Sequence, residues 1–217
     1  MGIMIHWLYE RHLIGGLRIL PAHVCFMITG EEQKEAPEKL TEVCRWCIET
    51  SDTVGQKRDR ARGDEGNRVI RGVTFHISTN DPDEIGPLLP GIRDISRFAR
   101  LTLHYGDKTE VAGSGMNVHV AIGKSGREEI TECIRRIAGK GIPPDQVNEH
   151  TIEEHLTFRY TPDLVIKTGG SHLTDFLIWQ SVYSELFFSD VNWSLFRKTD
   201  FLRALRDYQS RMRRFGR

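Results

Sequence analysis

The stretch "PAHVCFMITGEEQ", residues 21–33, decides how the rest of the sequence is interpreted. Its middle, residues 24–28, carries no charge and predicts a buried β-strand. Thr29 and Gly30 follow this strand directly, and two glutamates and a glutamine come next. Because ligands of open α/β sheets bind beyond the carboxyl ends of the strands, we expect a site where this strand ends.

Strand and helix patterns alternate along the remaining sequence. The β-branched and alternating segments that predict further strands are 69–78, 100–107, 116–123 and 162–168. The segments with helical spacing are 1–16, 36–50, 81–99, 127–141, 143–156, 173–188 and 198–214. Such alternation favours an α/β fold with a mostly parallel central sheet and helices on both faces. We expect one domain over residues 1–217, with 51–68, rich in Gly, Asp and Arg, as an exposed loop insertion.

The bulk composition excludes several classes of function. Lys and Arg number 30 and so do Asp and Glu, and this balance argues against a nucleic-acid-binding protein. No run of about 18 apolar residues predicts a membrane span. Glu10 and Arg11 lie inside the N-terminal segment and argue against a secretory signal. The four cysteines suggest a reducing, cytoplasmic setting, and the helical positions of Cys44 and Cys47 argue against structural zinc.

The C-terminal segment 197–217 is basic, with eight Arg or Lys against two Asp. Such a segment suits phosphate, an anionic lipid surface or an acidic partner, and peripheral contact with a membrane is one expectation. A solvated helix face is the alternative, and charge alone does not decide between them.

A second strand end has the composition of an anion site. Lys167 supplies a cation, and Gly169 and Gly170 let backbone N–H groups approach a phosphate. An ordinary turn is the alternative, since pairs of glycines are common in turns. Parallel strands would bring 166–170 and 27–30 to the same edge of the sheet.

Glu185 stands out because it lies within the strongly apolar segment 173–188, which we expect to be a helix. A buried carboxylate is costly unless it is paired or binds a metal. One interpretation is Mg²⁺ ligation beside a diphosphate, with Asp190 nearby. The other is a helix cap and an ion pair with a neighbouring arginine.

The C-terminal third of the sequence carries a resemblance to a known family. "FLIWQSVYSELFFSDVNW", residues 176–193, resembles the cis-prenyltransferases, the undecaprenyl and dehydrodolichyl diphosphate synthases. The resemblance extends to "LYERHL" (8–13), to "PAHVCFMITG" (21–30) and to "IGKSGREEI" (122–130). It implies a dimer with a parallel sheet and an elongated apolar tunnel. It also implies Mg²⁺-dependent condensation of isopentenyl diphosphate onto an allylic diphosphate, giving Z double bonds.

The sequence departs from the pattern of the active members at the first strand end. Where they have an Asp that holds Mg²⁺ and the allylic diphosphate, this chain has Thr29, followed by the retained Gly30 and by Glu31. The arginine-rich helix expected next is absent. Lys167 stands where active members carry Arg, and a second Arg is missing after His172. Glu185 remains at the position of the family's second metal-side carboxylate.

The same departures resemble the Nogo-B-receptor-type subunits, the non-catalytic halves of heteromeric cis-prenyltransferases. Those subunits also lack the Asp and the arginine helix, and they end in an Arg-x-Gly motif that matches Arg214-Phe215-Gly216. The resemblance implies that the tail, residues 209–217, reaches a catalytic partner's site and helps to bind isopentenyl diphosphate and Mg²⁺ there.

We therefore expect an accessory subunit in a heterodimer or heterotetramer with a catalytic homologue. It would contribute Arg214 and Gly216 to the binding of isoprenoid diphosphates, with Mg²⁺ held mainly by the partner. One alternative is an active homodimer that uses Glu185, Asp190 and Lys167 with a shifted metal. Another is an isoprenoid-diphosphate-binding module that catalyses no reaction.

Overall fold

The computed structural model describes residues 2–59, 69–79, 81–106, 108–123, 125–170 and 177–212. The strands are β1 (His23–Thr29), β2 (Gly72–Ser78), β3 (Arg100–Tyr105), β4 (Lys108–Ala112), β5 (Asn117–Ile122), β6 (Leu164–Lys167) and β7 (Glu185–Phe188). The α-helices are α1 (Gly2–Gly15), α2 (Gly30–Glu35), α3 (Lys39–Asp59), α4 (Leu89–Arg93), α5 (Gly126–Gly139), α6 (Glu149–His155) and α7 (Lys198–Met212).

The described strands form one sheet in the order β4-β3-β5-β2-β1-β6-β7. Each neighbouring pair is parallel except β3 and β4, which are antiparallel. This confirms the predicted α/β fold with a mostly parallel sheet. β1 lies between β2 and β6, and its Val24, Phe26 and Ile28 are buried because both of its edges and both of its faces are covered.

One face of the sheet carries the main hydrophobic core. Alternate residues of β1 and β2 pack there against apolar side chains of α1, α3 and α7. Phe26 stacks on Phe75 at 5.4 Å between ring centroids, and Trp193 and Phe196 pack beside them. The tunnel that the family resemblance implies stays a prediction, since these aromatic rings fill the described part of this face.

The other face of the sheet is more polar and carries His23, Thr74 and His119 on neighbouring strands. Phe158 and Leu177 cover part of it, packed against Ala121. Helices α5 and α6 form a small core of their own next to this segment, around Cys133 and Leu156. Helices therefore lie on both sides of the sheet. Among the residues that the structure describes, no helix has both the length and the apolar composition to cross a bilayer.

The expected loop insertion at 51–68 is wrong for its first half, because α3 continues to Asp59. Ser51 and Val54 are buried, and the Ser51 hydroxyl donates a hydrogen bond to the Ile70 carbonyl, 3.2 Å away. A small polar side chain can extend the buried face of a helix when the fold supplies an acceptor. Residues 60–68 lie outside the described part of the chain.

The predicted helix at 173–188 is also wrong where the structure describes it. Residues 177–183 form turns, and Glu185–Phe188 form β7, which pairs with β6. The periodicity of a short apolar run does not distinguish a strand from a helix. Here the run forms a strand because β6 offers it a free edge for pairing. Strand β4 was missed for the opposite reason: it is an exposed edge strand and buries no alternate residues.

Candidate functional site at the carboxyl edge of the sheet

The two predicted strand ends do meet, at the crevice between β1 and β6. The sheet grows from β1 towards β2 on one side and gains β6 on the other, so this crevice is its topological switch point. Register places Met27 of β1 beside Lys167 of β6. The prediction that 27–30 and 166–170 share one edge of the sheet is confirmed.

Thr29 ends β1 and caps the short helix α2. Its hydroxyl oxygen accepts a hydrogen bond from the Glu32 N–H at 3.2 Å, and Glu32 Oε2 accepts one from the Thr29 N–H at 2.8 Å. This reciprocal arrangement is a capping box, and the pattern Thr-x-x-Glu announces it in the sequence. A helix therefore follows β1 here too, although it carries no arginine.

Glu32 also reaches across to β6. Its Oε2 lies 3.8 Å from Nζ of Lys167, and its Oε1 accepts a hydrogen bond from the Thr168 hydroxyl at 3.3 Å. Lys167 is 8% exposed, and its ammonium donates a hydrogen bond to the Thr168 carbonyl at 2.8 Å. The cation predicted to bind phosphate is thus neutralised within the chain by a carboxylate that sits at the switch point.

One small recess at this edge is too small to hold a water molecule; it is lined by Met27, Ile28, Thr29, His76, Ser78 and Lys167. A Cβ at Gly30 would lie 3.1 Å from Cβ of Thr79, so a larger residue there would need Thr79 to shift by a few tenths of an ångström. The retained glycine therefore eases packing at this position whether or not a substrate binds.

Gly169 and Gly170 have positive φ angles of 71° and 120°, which explains the glycine pair. Their N–H groups donate to the carbonyls of Val191 and Ser189, at 3.1 and 3.3 Å. Both donors that would approach a phosphate are therefore engaged with the segment after β7. Phosphate binding by Lys167 and these glycines stays a prediction, and it would need this turn to rearrange.

Glu185 lies far from the switch point. It is the first residue of β7 and pairs with Leu164, whereas Lys167 pairs with Phe188, so Glu185 belongs to the amino edge of the sheet. Its carboxylate forms an ion pair with Arg211 of α7 at 3.2 Å. Asp190 follows the carboxyl end of β7 and is exposed. Within one chain, Glu185 therefore lies at the opposite edge of the sheet from Lys167 and Asp190, and the use of these three residues with a shifted metal in a homodimer stays a prediction.

Among the described residues, no group of three or more His, Cys, Asp or Glu side chains could hold a metal. Mg²⁺ is often held by one or two carboxylates together with substrate phosphates, so Mg²⁺ binding stays a prediction. At the switch point, the Thr29 hydroxyl caps a helix and the Glu32 carboxylate is engaged with Lys167, so neither offers open coordination. Magnesium ligation by Glu185 within this chain finds no support in this geometry.

The expected tail 209–217 begins later than the sequence suggested. Residues up to Met212 belong to α7, and the Gln209 side chain binds the chain's own N-terminal segment. Its Oε1 accepts the Ile19 N–H at 2.9 Å, and its Nε2 donates to the Gly16 carbonyl at 3.2 Å. Arg214 and Gly216 lie outside the described residues, so their role stays a prediction.

Sequence reasoning placed Glu32 near the mouth of the site but missed its contacts. In the sequence, charge alone does not distinguish Glu31 from Glu32. In the structure, Glu31 is exposed and pairs with Lys34, while Glu32 turns inward. The spacing of Glu32 from Thr29 was the available signal, because only the third residue after an N-cap can close a capping box.

Comparison with known proteins agrees with the fold and the expected family. Residues 96–216, more than half of the chain, match a family model described as putative undecaprenyl diphosphate synthase. The chain resembles the lavandulyl diphosphate synthase of Lavandula x intermedia, solved with dimethylallyl diphosphate, with a TM-score of 0.62 at 22% identity over 88% of this chain and 95% of that one. The chain also resembles a probable undecaprenyl diphosphate synthase from Campylobacter jejuni, with a TM-score of 0.59 at 20% identity over 93% of this chain and 100% of that one.

Sequence relatives are closer than these structures. A geranylgeranyl-diphosphate-specific tritrans,polycis-undecaprenyl-diphosphate synthase from Methanocaldococcus jannaschii is 32% identical over 91% of this chain and 83% of its own length. The synthase of the same name from Thermoplasma volcanium is 42% identical over 87% of this chain and 81% of its own length. An isoprenyl transferase from Thermus thermophilus is 31% identical over 98% and 96%. The chain therefore belongs to the undecaprenyl diphosphate synthase family of cis-prenyltransferases.

Proposed function

We propose that this chain is the non-catalytic subunit of a heteromeric cis-prenyltransferase. The complex would make a Z-polyprenyl diphosphate, a precursor of glycosyl carrier lipids, from isopentenyl diphosphate and an allylic diphosphate. The relatives are synthases and transferases by name, which supports this class of reaction. The non-catalytic assignment rests on the chain's own residues at the switch point.

The observation that carries the proposal is the contact of Glu32 with Lys167. Ionisation of an allylic diphosphate needs Mg²⁺ and cations directed at the developing negative charge. Here a carboxylate stands beside the lysine, and the hydroxyl of Thr29 is engaged in a helix cap. Because Glu32 already balances the charge of Lys167, a diphosphate at this position would gain little attraction from the lysine unless the pair separated.

An exposed apolar surface supports the need for a partner. Leu177 is buried, but Ile178, Val182 and Tyr183 are exposed, and Tyr183 is 92% exposed. Val182 and Tyr183 line a cavity of about 490 Å³ beside α6. Exposed apolar side chains that adjoin a cavity are typical of surfaces that bind another protein. We assign this surface to the catalytic homologue, whose site would hold Mg²⁺ and receive Arg214 and Gly216.

The second candidate is an active homodimer. The printed names of the relatives favour it, because they describe synthases and transferases without mention of a second kind of subunit. It requires Glu32 to leave Lys167 so that diphosphate can enter, and it requires a metal site, for which the described residues offer no group of three or more His, Cys, Asp or Glu side chains.

Assays of separate and combined chains test the proposal. The chain would be purified from its native cell with any bound homologue, and each component would then be expressed separately. Turnover would be measured with labelled isopentenyl diphosphate, farnesyl diphosphate and MgCl₂. We expect product from the combined chains and none from this chain alone. Turnover by this chain alone at the rate of the mixture would overturn the proposal in favour of the homodimer. Tight farnesyl diphosphate binding without turnover in either sample would indicate a binding module.

A further inference from the structure

A polar cavity of about 340 Å³ lies at the amino edge of the sheet, opposite the switch point. Two rows of residues in register across the strands build it. The outer row runs through His23, Asn117 and Arg100, and the inner row contains His119. Thr29 lies six positions after His23 in β1, which is roughly 20 Å at about 3.3 Å per residue. A ligand here would not touch the switch point.

The lining of this cavity is basic. Its lining residues include Arg71, Arg100 and Asn117, and no carboxylate is among the described lining residues. Asp163 lies beside the cavity, where its Oδ2 accepts the backbone N–H of His23 at 2.9 Å. Burial raises the pKa of Tyr160 and lowers that of His119; the positive charge of Arg100 opposes the first change and adds to the second, so its field reaches the inner wall. The balance of charge in the cavity therefore favours an anion.

Three rings form the inner wall. His119 stacks on Tyr160 with 3.4 Å between centroids, and His23 lies nearly parallel to both rings, about 6 Å away. His119 is 6% exposed, and its Nδ1 is buried without a hydrogen-bond partner. Unpaired buried nitrogens are uncommon in folded proteins and call for an explanation. A ligand that rotates the ring or protonates it would provide one.

The imidazole of His23 occupies space that is free only because residue 72 is a glycine. A Cβ at residue 72 would lie 2.6 Å from Nδ1 of His23, which is too close for any real contact. Gly72 therefore leaves the space that the imidazole occupies, and the Thr74 hydroxyl, 2.7 Å from Nε2, holds the ring there. The wall of this cavity is consequently fixed by packing and by hydrogen bonding.

We propose that this cavity is a binding site for a small oxyanion, a phosphate or a phosphate monoester, separate from the prenyltransferase site. The guanidinium of Arg100 suits charge-assisted hydrogen bonds to phosphate oxygens. The imidazoles and Asn117 supply further hydrogen bonds, and the volume leaves room for a small organic group beside the phosphate. This inference does not depend on whether the chain is catalytic.

Titration of the intact chain with inorganic phosphate and with glycerol 3-phosphate, at ionic strength matched with NaCl, tests the site. Binding would be followed by the ring-proton NMR signals of His23 and His119 and by calorimetry. We expect saturable shifts of both histidines. Arg100→Gln should weaken binding about 10- to 100-fold, as expected for loss of a charge-assisted bond. Arg97→Gln is the matched control, because Arg97 is exposed and pairs with Asp94 instead.

Two further variants keep the test decisive. Arg100→Lys retains the positive charge and should bind phosphate with an affinity between those of wild type and Arg100→Gln. It replaces Arg100→Gln in the test if that variant fails to fold. Glu31→Gln alters the mouth of the switch point and should leave phosphate binding unchanged. Equal affinity in wild type and Arg100→Gln, or phosphate binding that moves neither histidine signal, would overturn the site. Neither result would bear on the turnover assays of the proposed function.

Discussion

The carboxylate of Glu32 lies 3.8 Å from the ammonium of Lys167, across the carboxyl ends of β1 and β6. Both side chains are largely buried, with 17% and 10% of their surface exposed. In an open α/β sheet this is the position where an anionic ligand usually binds. The chain fills the position with its own anion, and the consequences can be measured.

Neutralising Glu32 should destabilise the fold. Glu32→Gln removes the charge that pairs with Lys167 and weakens the capping box of α2, so we expect the free energy of unfolding to fall by about 1–3 kcal/mol. Urea denaturation measures it. Glu31→Gln is the matched control on the same helix: its side chain is 81% exposed, and we expect a change within about 0.5 kcal/mol.

A double-mutant cycle with Lys167→Met isolates the pair. Each single variant leaves one buried charge without its partner, whereas the double variant leaves none. The double variant should therefore lose less stability than the sum of the two single losses, by about 1 kcal/mol or more. Simple additivity would contradict a direct interaction between Glu32 and Lys167.

Restoring the acid at position 29 should not restore catalysis. Asp is as good an N-cap residue as Thr, so Thr29→Asp should keep the free energy of unfolding within about 1 kcal/mol. Because Glu32 remains beside Lys167, we expect the variant alone to show no Mg²⁺-dependent turnover of isopentenyl diphosphate. Product from this variant alone would mean that the missing carboxylate was the sole defect, and that Glu32 does not block the site.

The turn after β6 should be sensitive to substitution. Gly169 has a φ of 71°, and a Cβ there would lie 3.1 Å from Oε1 of Glu32. Gly169→Ala should lower the free energy of unfolding by about 1–2 kcal/mol, because of both the strained backbone and the displaced carboxylate. Gly139→Ala in α5 meets no atom within 4 Å and should leave stability unchanged or raise it by up to about 1 kcal/mol. Thermal and urea unfolding would show whether the two variants differ.

Acid should destabilise the chain through its buried histidines. Burial lowers the pKa of His23 from 6.5 to about 4, against the opposing effect of Asp163, and burial lowers that of His119 to about 3. As the pH falls, these histidines bind protons in the unfolded chain before they do so in the folded chain. Their contribution to the free energy of unfolding is therefore fully present above pH 6.5 and is lost as the pH falls towards 4. For His23 the loss is about 3 kcal/mol at most.

Unfolding measured at pH 7.5, 6 and 5 checks this dependence on acid. The free energy of unfolding of His23→Gln should fall less than that of wild type between pH 6.5 and 4. His150→Gln is the control, since His150 has a 78% exposed side chain and lies on the surface of α6. A His23→Gln variant with the same pH dependence as wild type would contradict the assignment.

The tail should matter only in the complex. Arg214→Ala and Gly216→Ala are expected to leave assembly with the catalytic homologue intact and to lower the turnover of the mixture about tenfold or more, because phosphate would lose a charged or backbone donor. Arg217→Ala is the neighbouring control, with little expected change. Co-elution and initial rates measure the two properties separately. Wild-type turnover in both tail variants would show that the tail does not reach the partner's site.

Local sequence signals predicted much of the fold. The apolar run before Thr29 and the β-branched run before Thr79 gave two central strands, and the helical spacing after Pro37 gave the start of α3. These signals were sufficient because burial on both faces makes a strand continuously apolar. Strand β4 was not predicted because it is exposed at the edge of the sheet and buries no alternate residues. Strand β7 was not predicted because its residues form a strand only through pairing with β6.

The sequence by itself determined that β1 ends on a hydroxyl where a metal-binding acid is expected, and that residues 30–35 after it contain no arginine. Only the tertiary structure decided what replaces them. It brought Glu32 to Lys167, placed Glu185 at the opposite edge beside Arg211, and assembled the basic cavity around His119. Each of these depends on which strands pair and in which register, and local sequence patterns do not specify that pairing: β1 and β6, for example, bring Val24 beside Leu164.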